Sequence, residues 1–380
     1  MAAGSGQNTS YNDTVSKKRV VTDRIINTDP MSIVALNALG LHAEDKFMFV
    51  NSPGEVYEWL QDTYAPMTDT AVSGLSSSST LTQVTVTTSG LFQVGDVIQI
   101  DNEYMWVSEV STTLLSVTRN YGGGASEQAT HADTSVITLV GRNRLEGAAA
   151  GNGYFTVVAS NTNYSAILQK SIEVSRSNAL LKRYGIADIV EYQIDKVMDE
   201  NLVLLNKMVY HGKRNAGSAT TPRSFGGLKV FITTNDNQLS STPALTRKNI
   251  EDELQDCFTG DGTPDLILTG PWGRRKINDF FQGFVRTTRD ESRGGIVVDQ
   301  VMDPVTGAFL DVVVDRFCQA DHLYILDRRY VGLLTIDPFF EEELAKTKDT
   351  AYFGQVVGEY GMVVAKEKAH SYISGFSTSL

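Results

Sequence analysis

Between Thr70 and Gly141 the chain carries no lysine and a single arginine, Arg119, and Ser, Thr, Val and Gly dominate. Short runs with strand character follow one another at 82–87, 94–100, 103–110, 113–119 and 135–140. Turn residues separate them, at Ser89-Gly90, Asp101-Asn102 and Tyr121-Gly122-Gly123-Gly124. Strands this short and this closely spaced predict a small antiparallel barrel or sandwich. The flanks read differently, with extended segments before the stretch and a long amphipathic helix after it. Residues 70–142 are therefore expected to be a cassette set into a loop of another domain, since exposed loop tips accept such insertions. A module carried on an arm is displayed to a partner or to solvent.

The 380 residues can hold two or three cores. A formal net charge of -12 disfavours nonspecific duplex binding and attachment to anionic membranes. The 33 Lys and Arg still leave room for a local basic patch. Cys257 and Cys318 are too few for a disulfide framework, fit a reducing cytoplasm, and read as small buried hydrophobes. Lys17-Lys18-Arg19 is not followed by the apolar stretch a signal peptide needs. The apolar run 33–41 contains Asn37 and is too short to span a bilayer, so neither secretion nor a membrane partner is expected.

The first 20 or so residues read as a flexible arm, and 30–41 as a short helix capped by Asp29. Residues 47–64, around Pro53-Gly54, and 153–174 are extended segments that bracket the cassette. Together they predict a two-stranded arm with the barrel at its tip. An isolated hairpin of that length is marginal in water, so it needs a neighbour to lie on. Residues 186–211 give the strongest helix, with apolar positions recurring from Ile186 and Ile189 through Leu205 and Val209, Gly185 before it and Gly212 at its C-terminal end. At 1.5 Å per residue it would be about 39 Å long. A strand at 228–233, a helix from Thr246 to about 258, a strand at 265–269 and a helix opened by Pro271 and running to about 284 follow. A hairpin of 296–302 with 308–314, then strands at 322–326 and 331–336, complete an α+β domain over 243–337. The tail holds Glu341-Glu342-Glu343 and a strand at 356–366, expected to pair back with the strand after the long helix.

The sequence shows no Gly-x-Ser-x-Gly elbow and no phosphate-binding Gly-rich loop. Its histidines, His42, His131, His211, His322 and His370, do not stand at metal-ligand spacing. His211 is placed to meet the last carbonyls of its helix. Gly260-Asp261-Gly262 reads as a turn and lacks the alternating oxygens of a calcium loop. Arg274-Arg275-Lys276 near a helix start, and Arg286, Arg289 and Arg293 on an expected loop, read as a basic surface that pairs with acidic neighbours. No catalytic, cofactor-binding or metal-binding residue is expected. Glu341, Glu342 and Glu343 follow one another directly and cannot all face one pocket, which makes them a solvated face or a subunit contact. Tyr57, Trp59, Tyr154, Phe155 and Tyr164 lie on the arm without a convergent polar set, and are read as anchors for a neighbouring subunit.

The run Asn163-Tyr164-Ser165-Ala166-Ile167-Leu168, with Ile172-Glu173-Val174-Ser175 and Lys182-Arg183-Tyr184-Gly185-Ile186-Ala187-Asp188, resembles one family of tailed-bacteriophage major capsid proteins. So do Phe225-Gly226-Gly227-Leu228, the tail segment from Glu342-Glu343-Leu344 to Lys348-Asp349, Gly358-Glu359-Tyr360 and Glu367-Lys368-Ala369-His370. The resemblance covers about 45–376 and is similar to the Hong Kong ninety-seven type of fold. It implies an N-terminal arm (1–45), an extended loop (46–69 and 143–180), a peripheral domain (181–242 and 338–380) built on a spine helix (186–211), and an axial domain (243–337). The cassette resembles β-barrel insertions of some relatives. The implied function is a shell subunit that self-assembles into hexamers and pentamers of an icosahedral head around double-stranded DNA, in the host cytoplasm. Scaffolding, portal and decoration proteins are the implied partners, with weak contact to the packaged DNA. The alternatives are another virion component of tail or baseplate, or a hydrolase with a β-rich binding module.

Overall fold

The computed structural model describes residues 33–40, 54–75, 82–123, 129–144, 146–148, 155–241, 243–281, 285–290, 296–346 and 350–378. Most of the expected N-terminal arm, including Asp29, lies outside them, as does Pro53. The chain forms two compact units, one of Met1–Trp59 with Asn161–Leu380 and one of Leu60–Ser160. Helix α1 (Val34–Leu39) is shorter than the expected 30–41, and buries Ala35, Leu36, Ala38 and Leu39. Strand β1 (Val56–Gln61) follows, its side chains alternately exposed and buried.

The second unit contains β2 (Thr68–Thr70), β3 (Gln83–Thr85), β4 (Asp96–Ile100), β5 (Glu103–Val110), β6 (Leu114–Thr118) and β7 (Val136–Arg142). They form one antiparallel sheet in the order β2-β7-β4-β5-β6-β3. Beyond its two edge strands, Ala71 bridges Val86 and the Val72 amide donates to the Thr85 carbonyl at 2.8 Å, so the ladder returns to where it began. The core is the inward set of each period-two pattern: Ile98 and Ile100, Met105 and Val107, Leu115 and Val117, with Val84 and Ile137. Each such aliphatic contributes about 1.5–3 kcal/mol on burial. Strand β2 lies just before the expected start of the cassette. Its Thr-Asp-Thr sequence has no apolar signal, and it forms because Thr68–Thr70 meets Val136, Ile137 and Thr138 of β7.

In the first unit β8 (Ala159–Tyr164) pairs with β1, and β9 (Ala166–Ser175) leads into the short helix α2 (Arg176–Leu180). The long helix α3 spans Ile189–His211 and begins where Asp188 accepts a hydrogen bond from the Val190 amide at 2.7 Å. Gly212 ends it, but with φ of -53° it is not a left-handed cap. Its glycine is required by close approach, since a Cβ there would stand 2.6 Å from the Met208 carbonyl oxygen and 2.7 Å from that of Phe225. Residues Leu228–Phe231 form a helical turn, α4, where a strand was expected. The tail therefore pairs elsewhere, as described below.

Strand β10 (Asp236–Gln238) is followed by α5 (Arg247–Thr259), which starts at a capping box of Thr246 with Asn249, and by β11 (Leu266–Thr269). Helix α6 (Pro271–Phe280) opens on Pro271 and ends at Phe280, short of the expected 284, and Val285–Asp290 is strand β12. Arg286 and Arg289 thus lie on a strand paired with β13 (Ile296–Met302), not on a loop, and Arg293 lies outside the described residues. Strands β14 (Phe309–Val314) and β15 (His322–Leu326) complete this region. Strand β16 (Val331–Glu343) runs across the expected boundary at 337, and β17 (Thr350–Val364) pairs with both β16 and β9. Strand β18 (Ser371–Ser374) joins the seven-stranded sheet β10-β18-β15-β11-β14-β13-β12.

Period-two alternation gives that sheet two cores. Leu266 and Leu268 of β11 face Leu205, Val209 and Tyr210 of α3 together with α1. Ile267 between them faces Ile250 and Leu254 of α5 and Ile277 of α6. Helices therefore cover both faces, which is why β11 reads as a continuous apolar run.

Candidate assembly surface

Strand β1 is amphipathic at single-residue resolution. Tyr57 and Trp59, 4% and 6% exposed, pack on Leu334 and Val363, with the Trp59 ring 5.5 Å from that of Phe231. Gly361 makes room for Tyr57: a Cβ there would come within 2.7 Å of the tyrosine ring. Tyr57 and Trp59 are thus spent inside the chain's own core, and their expected role as anchors for a neighbour is corrected. The alternation of a strand places them inward, while their aromatic character suggested a surface anchor.

The residues between and beyond them are bare. Leu60 is 72% exposed and Tyr64 97%, and Met67 is also uncovered. On the returning segment, just before β8, Phe155 is 82% exposed, and Val157 and Val158 are exposed with it. The Thr156 hydroxyl donates to the Thr63 carbonyl at 2.7 Å, tying the two segments together. Tyr154 lies outside the described residues. Tyr164 is half-buried, with the Arg214 guanidinium 5.6 Å from its ring centre. Monomeric proteins seldom leave several large apolar side chains uncovered together.

Buried polar side chains fix the base of β8. Asn163 donates to the carbonyls of Met362 at 2.7 Å and Gly226 at 3.2 Å, and accepts from the Gly226 amide at 2.9 Å. Arg223 binds Glu359 at 3.1 Å and also Glu55. A second bare apolar stretch was not singled out in the sequence: Leu180 at the end of α2, with Leu181 and Tyr184 after it, flank Lys182 and Arg183. The available signal was a Leu-Leu pair next to basic and aromatic residues without helical periodicity.

Glu341, Glu342 and Glu343 occupy the end of β16, all exposed, and alternate between faces as strand residues must. Tyr352 donates to Glu341 at 2.5 Å, Gln355 donates to Glu342 at 2.8 Å, and Lys346 stands 3.6 Å from Glu343. Burial together with its bond to Glu341 pushes the Tyr352 hydroxyl above its usual range. The three carboxylates do not converge on one point.

Each unit also holds a buried titratable cluster. In the second, Arg119 donates to both Glu103 oxygens, at 2.8 and 2.5 Å, and to the Ala129 carbonyl at 2.7 Å. His131 reaches Asp101 at 2.6 Å and Glu103 at 2.9 Å. Burial raises the Glu103 carboxyl, but the hydrogen bonds from Arg119 and His131 outweigh it and bring it down to about 2. In the first unit the Asp327 amide donates to Nδ1 of His370 at 3.2 Å, so Nε2 carries the proton and donates to the Ala365 carbonyl at 3.0 Å. Burial lowers this imidazole to about 4.

Cys257 and Cys318 are buried free thiols. Among the described residues no cluster of His, Cys, Asp or Glu is placed to hold a metal ion, and no helix is long and apolar enough to cross a membrane.

A family model described as SU10 major capsid protein matches residues 5–377. Among solved structures, the capsid of Myoviridae phage XM1 aligns at 9% identity and a TM-score of 0.52, covering 98% of this chain and 100% of its own. The capsid of a native GTA particle aligns at 8% identity and a TM-score of 0.51, with the same coverages. At these identities the likeness is one of fold. No curated protein matches the sequence.

Proposed function

We infer, from the premise that this chain belongs to the SU10 major capsid protein family, that copies of it pack as hexamers and pentamers into a closed icosahedral head around double-stranded DNA. The observation that carries this reading is the bare apolar surface at Leu60, Tyr64, Met67, Phe155 and Val157. Two extended segments side by side are too thin to cover their own sides in water. Neighbouring copies cover them, and Phe155 replaces Tyr57 and Trp59 as the principal anchor on the arm. Tyr164, Glu341, Glu342 and Glu343 supply polar contacts at the edges of the same interfaces, where exposed charge sets register more than affinity.

The work is mechanical: contacts repeated across many copies add up to a wall. Scaffolding, portal and decoration proteins are the other partners of such a shell, which assembles in the host cytoplasm. An acidic chain makes weak contact with the DNA it encloses. The test is co-expression with the phage's own scaffold, followed by sedimentation and negative-stain imaging. Closed shells are expected. Small monodisperse monomers would overturn the reading, and rings or tubes would move it to a tail or baseplate component.

A further inference from the structure

We propose that residues 201–235 form the surface through which the subunit meets the packaged DNA, by way of its phosphates and without regard to base sequence. The inference rests on the shell reading above and names the residues that make the contact.

The chain carries 45 acids against 33 Lys and Arg, yet 201–235 holds Lys207, Lys213, Arg214, Arg223 and Lys229 with no Asp or Glu. The stretch just before it, 188–200, is the reverse, with five acids and one lysine. The acid-free stretch ends at Asp236. Cations near a helix C-terminus complement its dipole, but that accounts at most for Lys207 and His211 of α3. Lys213, Arg214 and Lys229 lie beyond the helix.

The fold keeps four of these cations at the surface. Lys207, Lys213, Arg214 and Lys229 are exposed, and among the described residues none of them forms an ion pair. Three are steadied by rings. The Lys207 ammonium stands 4.6 Å from the ring centre of Phe317, the Arg214 guanidinium 5.6 Å from that of Tyr164, and the Lys229 ammonium 5.5 Å from that of Tyr372. A ring holds such a side chain in place without neutralising its charge. Arg316, exposed next to Phe317, adds a cation beside Lys207. Arg223 is the exception, bound to Glu55 and Glu359. Acids on neighbouring elements are engaged: Asp315 is buried and holds Asn206 and Tyr210, and Asp321 holds His322. Glu200 lies about 10 Å back along the helix axis and pairs with Lys170.

Duplex DNA carries one negative charge per about 1.7 Å of its axis, and proteins grip it by displacing counterions with Lys and Arg. Cations without carboxylate partners, repeated on every copy, suit a partner whose charge is uniform and whose sequence is immaterial. Between Arg214 and Arg223 the loop adds exposed Ser218, Thr220 and Thr221, hydroxyls of the kind that donate to phosphate oxygens. The competing partner is an acidic face of another copy. Its exposed carboxylates at Glu341, Glu342 and Glu343 already meet Tyr352, Gln355 and Lys346 of their own chain, which favours DNA.

The test uses native particles. DNA-filled heads, and the same heads after their DNA has been expelled, are treated with formaldehyde and a mild reductant, which methylates accessible lysines. The sites are then read by mass spectrometry. Lys207, Lys213 and Lys229 are expected to react several-fold less in filled heads, with Lys248 of α5 equal in both. Equal reactivity of the three in both preparations would overturn the proposal. Protection that persists in emptied heads would overturn it too, and would give the surface to a neighbouring copy. Without the reductant, formaldehyde links lysines to nearby bases, and nucleotide adducts are expected on peptides carrying these three lysines. Adducts confined to other lysines would count against it equally. Failure of the native chain to form shells would instead defeat the shell reading.

Discussion

Two of the buried histidines, one from each unit, stand in opposite surroundings. His131 in the cassette lies between two carboxylates, with the fixed cation of Arg119 on the other side of Glu103. His370 in the larger unit meets backbone on both ring nitrogens, a donating amide at Nδ1 and an accepting carbonyl at Nε2. The cassette has balanced charge inside a small core. Around His370 the larger unit offers backbone partners in place of charged ones. The two units should therefore fail for different reasons and under different conditions.

The largest test removes the balance. Arg119→Met leaves Glu103 buried without its cation, and breaking a buried pair in this way costs about 3–5 kcal/mol. Hydrogen exchange read by mass spectrometry should show lost protection in peptides from 82–142, with 266–326 unchanged. An equal rise across the whole chain would show that the units do not open separately.

Acid comes next. The folded pKa of His370, about 4, lies below its ordinary 6.5, so protons favour the unfolded chain. This part of the stability is complete above pH 6.5 and drains as pH falls toward 4, a loss of about 3 kcal/mol. Glu103, at about 2 against an ordinary 4.5, favours the fold above pH 4.5 and loses that contribution as pH falls toward 2. Thermal melts between pH 7 and 3 should weaken the larger unit first. His370→Gln should flatten its upper window and leave the cassette's lower one in place.

The smallest effect on stability lies on the arm. Phe155→Ser touches an exposed side chain and should change the unfolding free energy by less than about 0.5 kcal/mol. The yield of closed shells should nevertheless fall sharply, because the lost contact is with another copy. A large drop in the melting temperature of unassembled chain would instead place Phe155 in the fold's own interior.

Much of this was legible in the sequence because alternation is a local signal. The strands of the cassette from β3 to β7 follow from residues such as Ile98, Ile100, Met105 and Val107, each spaced by two. The long helix followed from its three-and-four spacing, although Asp188 starts it later than the apolar pattern suggested. What was not legible depends on distant partners. The inward face of β1 is set by Gly361, some 300 residues away, which opens the space that Tyr57 fills. Residues 228–231 are a short apolar run, for which strand and helix look alike. Strand β16 hides its continuity because Pro338 interrupts the pattern, and its register shifts around Asp337 accommodate the break. Of the exposed arm residues only Phe155 stood out in the sequence, as an aromatic alongside Tyr57 and Trp59, and composition cannot say which of the three faces water.

The tie between Thr156 and Thr63 has a consequence for how such a chain can change over generations. Because the outgoing and incoming backbones run side by side there, whatever is spliced between them adds nothing to the distance the rest must close. A lineage can acquire, enlarge or shed the inserted segment there in one genetic step, with the flanking backbones left in place. By the same logic a foreign domain with neighbouring termini could be grafted at that point and carried on every copy.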